Sequence, residues 1–250
     1  MEDNKHKFPT ETVELPSKGL LYSEDNPLSS GKIEMKYMTA KEEDILTNQN
    51  YIRQGTVIDK LLQSMIVSKI NYDDLLVADK DAIMVSARIL GYGKDYVFTY
   101  NGEEVTVDLT TMKEKLLDES LVKTPRVNEF HFTLPHSGNE ISFRLLTHGD
   151  DKKIEQELDG LKKIDPKGNP ELSTRLKHMI LSVNGNREKK DIREFVDNAF
   201  LARDSRAFRE YVSKLAPGVE LKFNYVSDGN VEEGVTLPIG LNFFWPDSGI

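Results

Sequence analysis

The feature that most limits how this chain can fold is that it repeats itself, weakly but in order. Val13–Gly19 reads V-E-L-P-S-K-G, and Phe132–Gly138, 119 residues later, reads F-T-L-P-H-S-G. Ile33–Thr39 returns as Ile141–Thr147 at an offset of 108, and Leu62–Val67 as Leu176–Leu181 at an offset of 114. The longest match sets Leu76–Ile83 against Leu201–Phe208 at an offset of 125. That offset then holds through Leu90/Leu215, Gly93/Gly218, Phe98/Phe223 and Tyr100/Tyr225. Four blocks in one order predict two diverged copies of a single unit.

Each copy reads as hairpin, helices, hairpin, which makes the expected class α+β. In copy one the opening strands are Thr12–Leu15 and Lys32–Tyr37, with apolar residues alternating at Ile33, Met35 and Tyr37. In copy two Phe130–Leu134 and Glu140–Leu146 flank the turn His136–Asn139. Thr39-Ala-Lys-Glu42 has the form of a capping box, and Thr147-His-Gly-Asp150 matches it. The carboxylates around both sites suit the positive end of a helix dipole better than a metal or acid–base site.

Val57, Ile58, Leu61, Leu62, Met65 and Ile66 then share one helical face, as do Leu172, Leu176, Met179, Ile180 and Val183. Ile192, Phe195, Val196, Ala199 and Phe200 predict an additional amphipathic helix in copy two. Asp79 and Asp204 stand where N-caps are expected. The helices behind them stop near Leu90-Gly91 and Ala216-Pro217-Gly218.

Closing hairpins are expected at Asp95–Leu109, around Asn101-Gly102, and at Leu221–Phe244, around Asp228-Gly229. The division that follows is an arm at 1–10, a first lobe at 11–122 and a second lobe at 123–250 ending in an aromatic strand.

Recognisable reaction chemistry does not emerge from the sequence. The absence of cysteine removes disulfides, thiolate zinc sites and thiol nucleophiles, and suits a cytoplasmic protein. A net charge of −9, with no basic run, argues against nucleic acid as a partner. No segment reaches the roughly 18 apolar residues of a membrane span. Gly91-Tyr92-Gly93-Lys94 lacks the spacing and the strand-to-helix setting of a phosphate loop and reads as a helix stop. The five histidines, His6, His131, His136, His148 and His178, lack metal-ligand spacing, so neither metal nor cofactor is expected.

One segment looks made for contact. Leu241, Phe243, Phe244, Trp245 and Pro246 form an aromatic-rich end containing the single Trp, the residue types that dominate interface energetics. The competing expectation is a final strand packed on the copy-two helices.

Leu15–Gly19 (L-P-S-K-G), the run Met38–Thr47 and the terminal Phe243–Pro246 together resemble the baseplate hub assembly proteins of T-even-type contractile-tailed phages. The resemblance spans nearly the whole chain. It implies a non-enzymatic role in building the baseplate central hub, as a chaperone-like factor or minor hub component. Its partners would be other hub proteins, and its place the host cytoplasm or the virion tail. It also implies Cys-x-x-Cys zinc ribbons in the closing hairpins, and this sequence departs from that. Tyr100–Glu103 and Tyr225–Gly229 hold no cysteine, which leaves ribbon-like hairpins without metal. The alternative reading is an enzyme of unknown reaction, with a site between the lobes at His131, His136 or His148.

Overall fold

In the computed structural model, which describes residues 9–227 and 229–245, short antiparallel sheets alternate with helices in an α+β arrangement. Copy one opens with β1 (Thr10–Glu14) and β2 (Lys32–Lys36), paired with Val13 opposite Ile33. Val13, Ile33 and Met35 are buried together because alternate strand residues share a face. Helices α1 (Ala40–Leu46), α2 (Gln49–Arg53), α3 (Val57–Met65) and α4 (Val77–Tyr92) follow, then the hairpin β3 (Asp95–Tyr100) and β4 (Glu103–Asp108). The connecting segment carries β5 (Lys113–Lys115).

Copy two runs β6 (Phe130–Thr133), β7 (Glu140–Phe143), α5 (His148–Ile164), α6 (Glu171–Met179) and β8 (Ile180–Val183). It continues with α7 (Lys189–Asn198), α8 (Ala202–Leu215), β9 (Gly218–Glu220), β10 (Lys222–Ser227), β11 (Asn230–Thr236) and the one-turn α9 (Leu241–Phe244).

The repeated sequence blocks occupy equivalent places. α3 and α6 are both nine residues long, and each is followed by an isoleucine that returns to the opening hairpin. Ile66 bridges Met35, and Ile180 pairs with Phe143 in the β7–β8 ladder. Both capping boxes form. The Glu42 carboxylate accepts from the Thr39 N–H (3.0 Å) and hydroxyl (2.7 Å), and Lys36 lies 2.8 Å away. Asp150 repeats the arrangement with Thr147 and with Arg144 at 2.6 Å. Burial alone would raise the Glu42 carboxyl, but Lys36, Ser64 and Thr39 outweigh it and bring it down to about 2.

Asp79 and Asp204 correct the N-cap expectation. The caps are Leu76 and Leu201, both non-helical in backbone, and each aspartate is the third residue of its helix. Their carboxylates instead reach across to the Leu-Pro turn of their own copy's opening hairpin. Asp79 accepts from the Ser17 N–H (2.9 Å), the Ser17 hydroxyl (2.7 Å) and the Tyr22 hydroxyl (2.7 Å). Asp204 accepts from the N–H groups of His136 (2.8 Å) and Ser137 (3.0 Å).

The first turn also needs Gly19. Its φ is 73°, and a Cβ there would lie 2.4 Å from the Ser29 carbonyl oxygen. Burial holds the Asp79 carboxyl above the usual range despite its three donors. At Asp204 burial also pushes upward, but His136 and Ser137 prevail and hold the carboxyl below it.

The closing hairpins face each other through equivalent residues. The rings of Phe98 and Phe223 lie 5.2 Å apart, and those of Tyr100 and Tyr225 4.9 Å apart. The Tyr225 hydroxyl donates to Glu103 (2.7 Å), and Tyr100 makes the reciprocal, longer contact to Glu232 (3.4 Å). Contacts between like positions are what an approximate two-fold relation between the copies produces.

One continuous apolar core runs through both copies. The connecting strand β5 pairs with β9 of copy two. Arg126 ties the connection back to copy one, donating to the carbonyl oxygens of Gly19 (3.0 Å) and Ser29 (2.7 Å).

Candidate functional site

The aromatic end is the first candidate, and its geometry overturns two expectations. Pro238 and Gly240 follow β11, which stops at Thr236, and the chain turns into α9 instead of continuing as a strand. Adjacent residues on one helical turn can both tuck beneath a surface, which a strand forbids. Phe243 and Phe244 do so and are fully buried, and their helix packs with α4 of copy one. Phe243 meets the Tyr96 ring edge-on at 4.9 Å, while the Tyr96 hydroxyl donates to the Pro238 carbonyl at 2.7 Å. These two phenylalanines are internal packing and not an exposed anchor. Leu241 and Trp245 are half-buried against the same core, and Pro246 lies outside the described residues.

The histidines are placed in unlike settings. His131 on β6 and His136 in the turn are exposed. His148 is buried at the start of α5, against the Tyr72 ring (4.6 Å) and 3.9 Å from Asp59. Burial lowers its pKa, partly opposed by Asp59. Between the copies this region is joined by backbone. The Val77 N–H donates to Leu146 O (3.0 Å), and the His148 N–H to Leu75 O (2.8 Å). Among the described residues, no group of three or more His, Asp or Glu side chains is placed to hold a metal ion. Nor is any helix there long and apolar enough to cross a membrane.

The candidate that sequence reasoning missed is a cavity of about 420 Å³ in copy two. α6 packs between α5 and α7, and the end of β7 with β8 closes the space behind them. Arg144, Lys153, Lys177, Arg187, Lys189 and Arg193 line it, with His178, Ile180, Leu181 and Ile192, and Asp150 is its one carboxylate. Several cations are held by carboxylates. Arg193 makes a two-pronged contact with Glu157 (2.7 and 2.8 Å), which also meets His178 at 3.0 Å. Lys177 pairs with Asp197 (2.6 Å) and Arg187 with Glu129 (2.5 Å). Arg193, then burial in opposition, then His178 set the Glu157 carboxyl, which falls to about 2.

No single run of basic residues reveals this cluster, because its cations come from four separate segments. The sequence signal was the additional helix: α7 supplies Lys189 and Arg193 and has no counterpart in copy one.

No family model matches the chain, and neither a curated protein nor a solved structure matches it.

Proposed function

We propose that this chain is a non-enzymatic phage tail morphogenesis protein that acts by binding other proteins of the baseplate central hub. It works as a chaperone-like assembly factor in the host cytoplasm or as a minor component of the hub itself. The observation that carries the reading is where the family-like segments lie. Leu15–Gly19 forms the turn held by Asp79, Thr39 and Glu42 form the first capping box, and Phe243 and Phe244 fill the space against α4. The segments that carry the resemblance are thus ones that build the fold, near both ends of the chain.

Surface features support binding as the mode of action. Val226 and Val231 are directly paired across β10 and β11 and both are exposed. Each closing hairpin is a two-stranded sheet, and its outer strand edges offer unpaired backbone groups to a partner strand. Such a surface is suited to covering an unpaired face of a hub subunit until the next component replaces it.

The test is capture from infected cells. A tagged chain expressed at native level should co-purify hub proteins, and recovery of none would refute the proposal. Mass spectrometry of purified particles then separates a transient factor from a resident component.

A further inference from the structure

We infer that the basic cavity between α5, α6 and α7 binds an acidic, partly apolar peptide segment of a partner protein. This rests on the protein-binding reading above and names the chemistry of what is bound. The lining holds six Lys or Arg and one carboxylate. Even when Glu129, Glu157 and Asp197 are counted with it, two positive charges remain in surplus, on a chain whose net charge is −9. The rest of the chain carries a net negative charge that disfavours an acidic segment, whereas the local surplus here favours one.

The repeat makes the cluster more informative. Where copy two has Lys153, Lys177 and His178, the equivalent positions of copy one are Ile45, Gln63 and Ser64. The offset between copies grows from 114 to 125 across α7, so Arg187, Lys189 and Arg193 belong to an insertion. The shared fold forms without these charges, and copy one demonstrates it. They are particular to copy two.

The chemistry favours carboxylates over phosphates. Arg144, Arg187 and Arg193 are already engaged by Asp150, Glu129 and Glu157. The cations with spare capacity are lysines. Lys189 has no ion-pair partner among the described residues, and Lys153, two-thirds exposed, lies 3.9 Å from Asp150. Ile180, Leu181 and Ile192 give an apolar wall that a phosphate or a sugar backbone leaves unused, whereas a peptide carrying both Glu and Leu satisfies both parts.

The experiment uses the full chain and a short fluorescein-labelled peptide of alternating Glu and Leu, read by fluorescence anisotropy. Wild-type protein should bind it, with affinity falling as salt rises. The double variant Lys153→Glu, Lys189→Glu should bind at least about tenfold more weakly, with an unchanged thermal melt. Lys189→Gln alone should shift affinity in the same direction by less.

Equal affinity of wild type and double variant would overturn the inference. So would tighter binding of a labelled single-stranded oligonucleotide, or displacement of the peptide by inorganic phosphate at matched concentration. If the peptide binds as expected but no hub protein is captured in cells, the hub reading fails and the cavity stands. If hub proteins are captured equally by the double variant, the cavity inference fails and the hub reading stands.

Discussion

Replacing Asp79 by alanine removes the acceptor for three donors at once. Ser17 is fully buried and Tyr22 nearly so, so water cannot take the place of the carboxylate. Each orphaned buried donor costs about 1–3 kcal/mol. Both hydroxyls have some freedom to turn, and removing a buried carboxylate relieves its own desolvation, so the lower part of that range applies. The sum is about 3–5 kcal/mol, or roughly 6–10 °C in Tm for a chain of this length. Asp79→Asn retains an acceptor for the Ser17 N–H and offers an amide that the hydroxyls can accept, so its loss should be about 1–2 kcal/mol. Urea and thermal unfolding followed by circular dichroism measure both. Asp204→Ala is the internal control. The N–H groups it serves lie in an exposed turn where water can substitute, so its effect should be the smaller. A loss below about 1 kcal/mol for Asp79→Ala, or a larger loss for Asp204→Ala, would refute this role for the Asp79 carboxylate.

Phe244→Ala should cost about 3–5 kcal/mol because the ring is fully buried, and an unchanged melting curve would return the terminal segment to the surface. Glu42 and Glu157 both have folded values near 2, below the unfolded carboxylate range. Their stabilisation is complete above about pH 4.5 and is lost as pH falls toward 2, so Glu42→Gln should flatten that limb in urea midpoints taken from pH 5 to 2.5. His148 has a lowered folded pKa, so stability should fall as pH drops below about 6.5, and His148→Gln should remove that slope. Tyr225→Phe should cost about 1 kcal/mol through its 2.7 Å bond to Glu103, and Tyr100→Phe should cost less because its contact with Glu232 is long. Equal thermal shifts for the two would contradict that asymmetry.

The α+β class and its order of hairpins and helices were legible because they depend on local patterns. Alternation at Ile33 and Met35 marks a strand that buries one face, and the Thr39–Glu42 and Thr147–Asp150 spacings mark helix starts whose donors and acceptors are three residues apart. The offsets that align the copies also align α3 with α6 and α4 with α8, since duplicated local signals build duplicated elements.

Long-range destinations were not legible. A carboxylate near a helix start looks the same whether it caps its own helix or, like Asp79, reaches a turn 62 positions earlier. Aromatics at the end of a chain look the same whether they seek a partner or, like Phe243 and Phe244, fill a gap beside a helix of the other copy. The cations of the copy-two cavity are scattered from Arg144 to Arg193, and sequence periodicity carries no record of distances between separate elements. Local backbone preference and amphipathic pattern determined which elements form. Which faces met, and which charges converged, was decided by packing, because burial and Coulomb interactions depend on separation in space rather than along the chain.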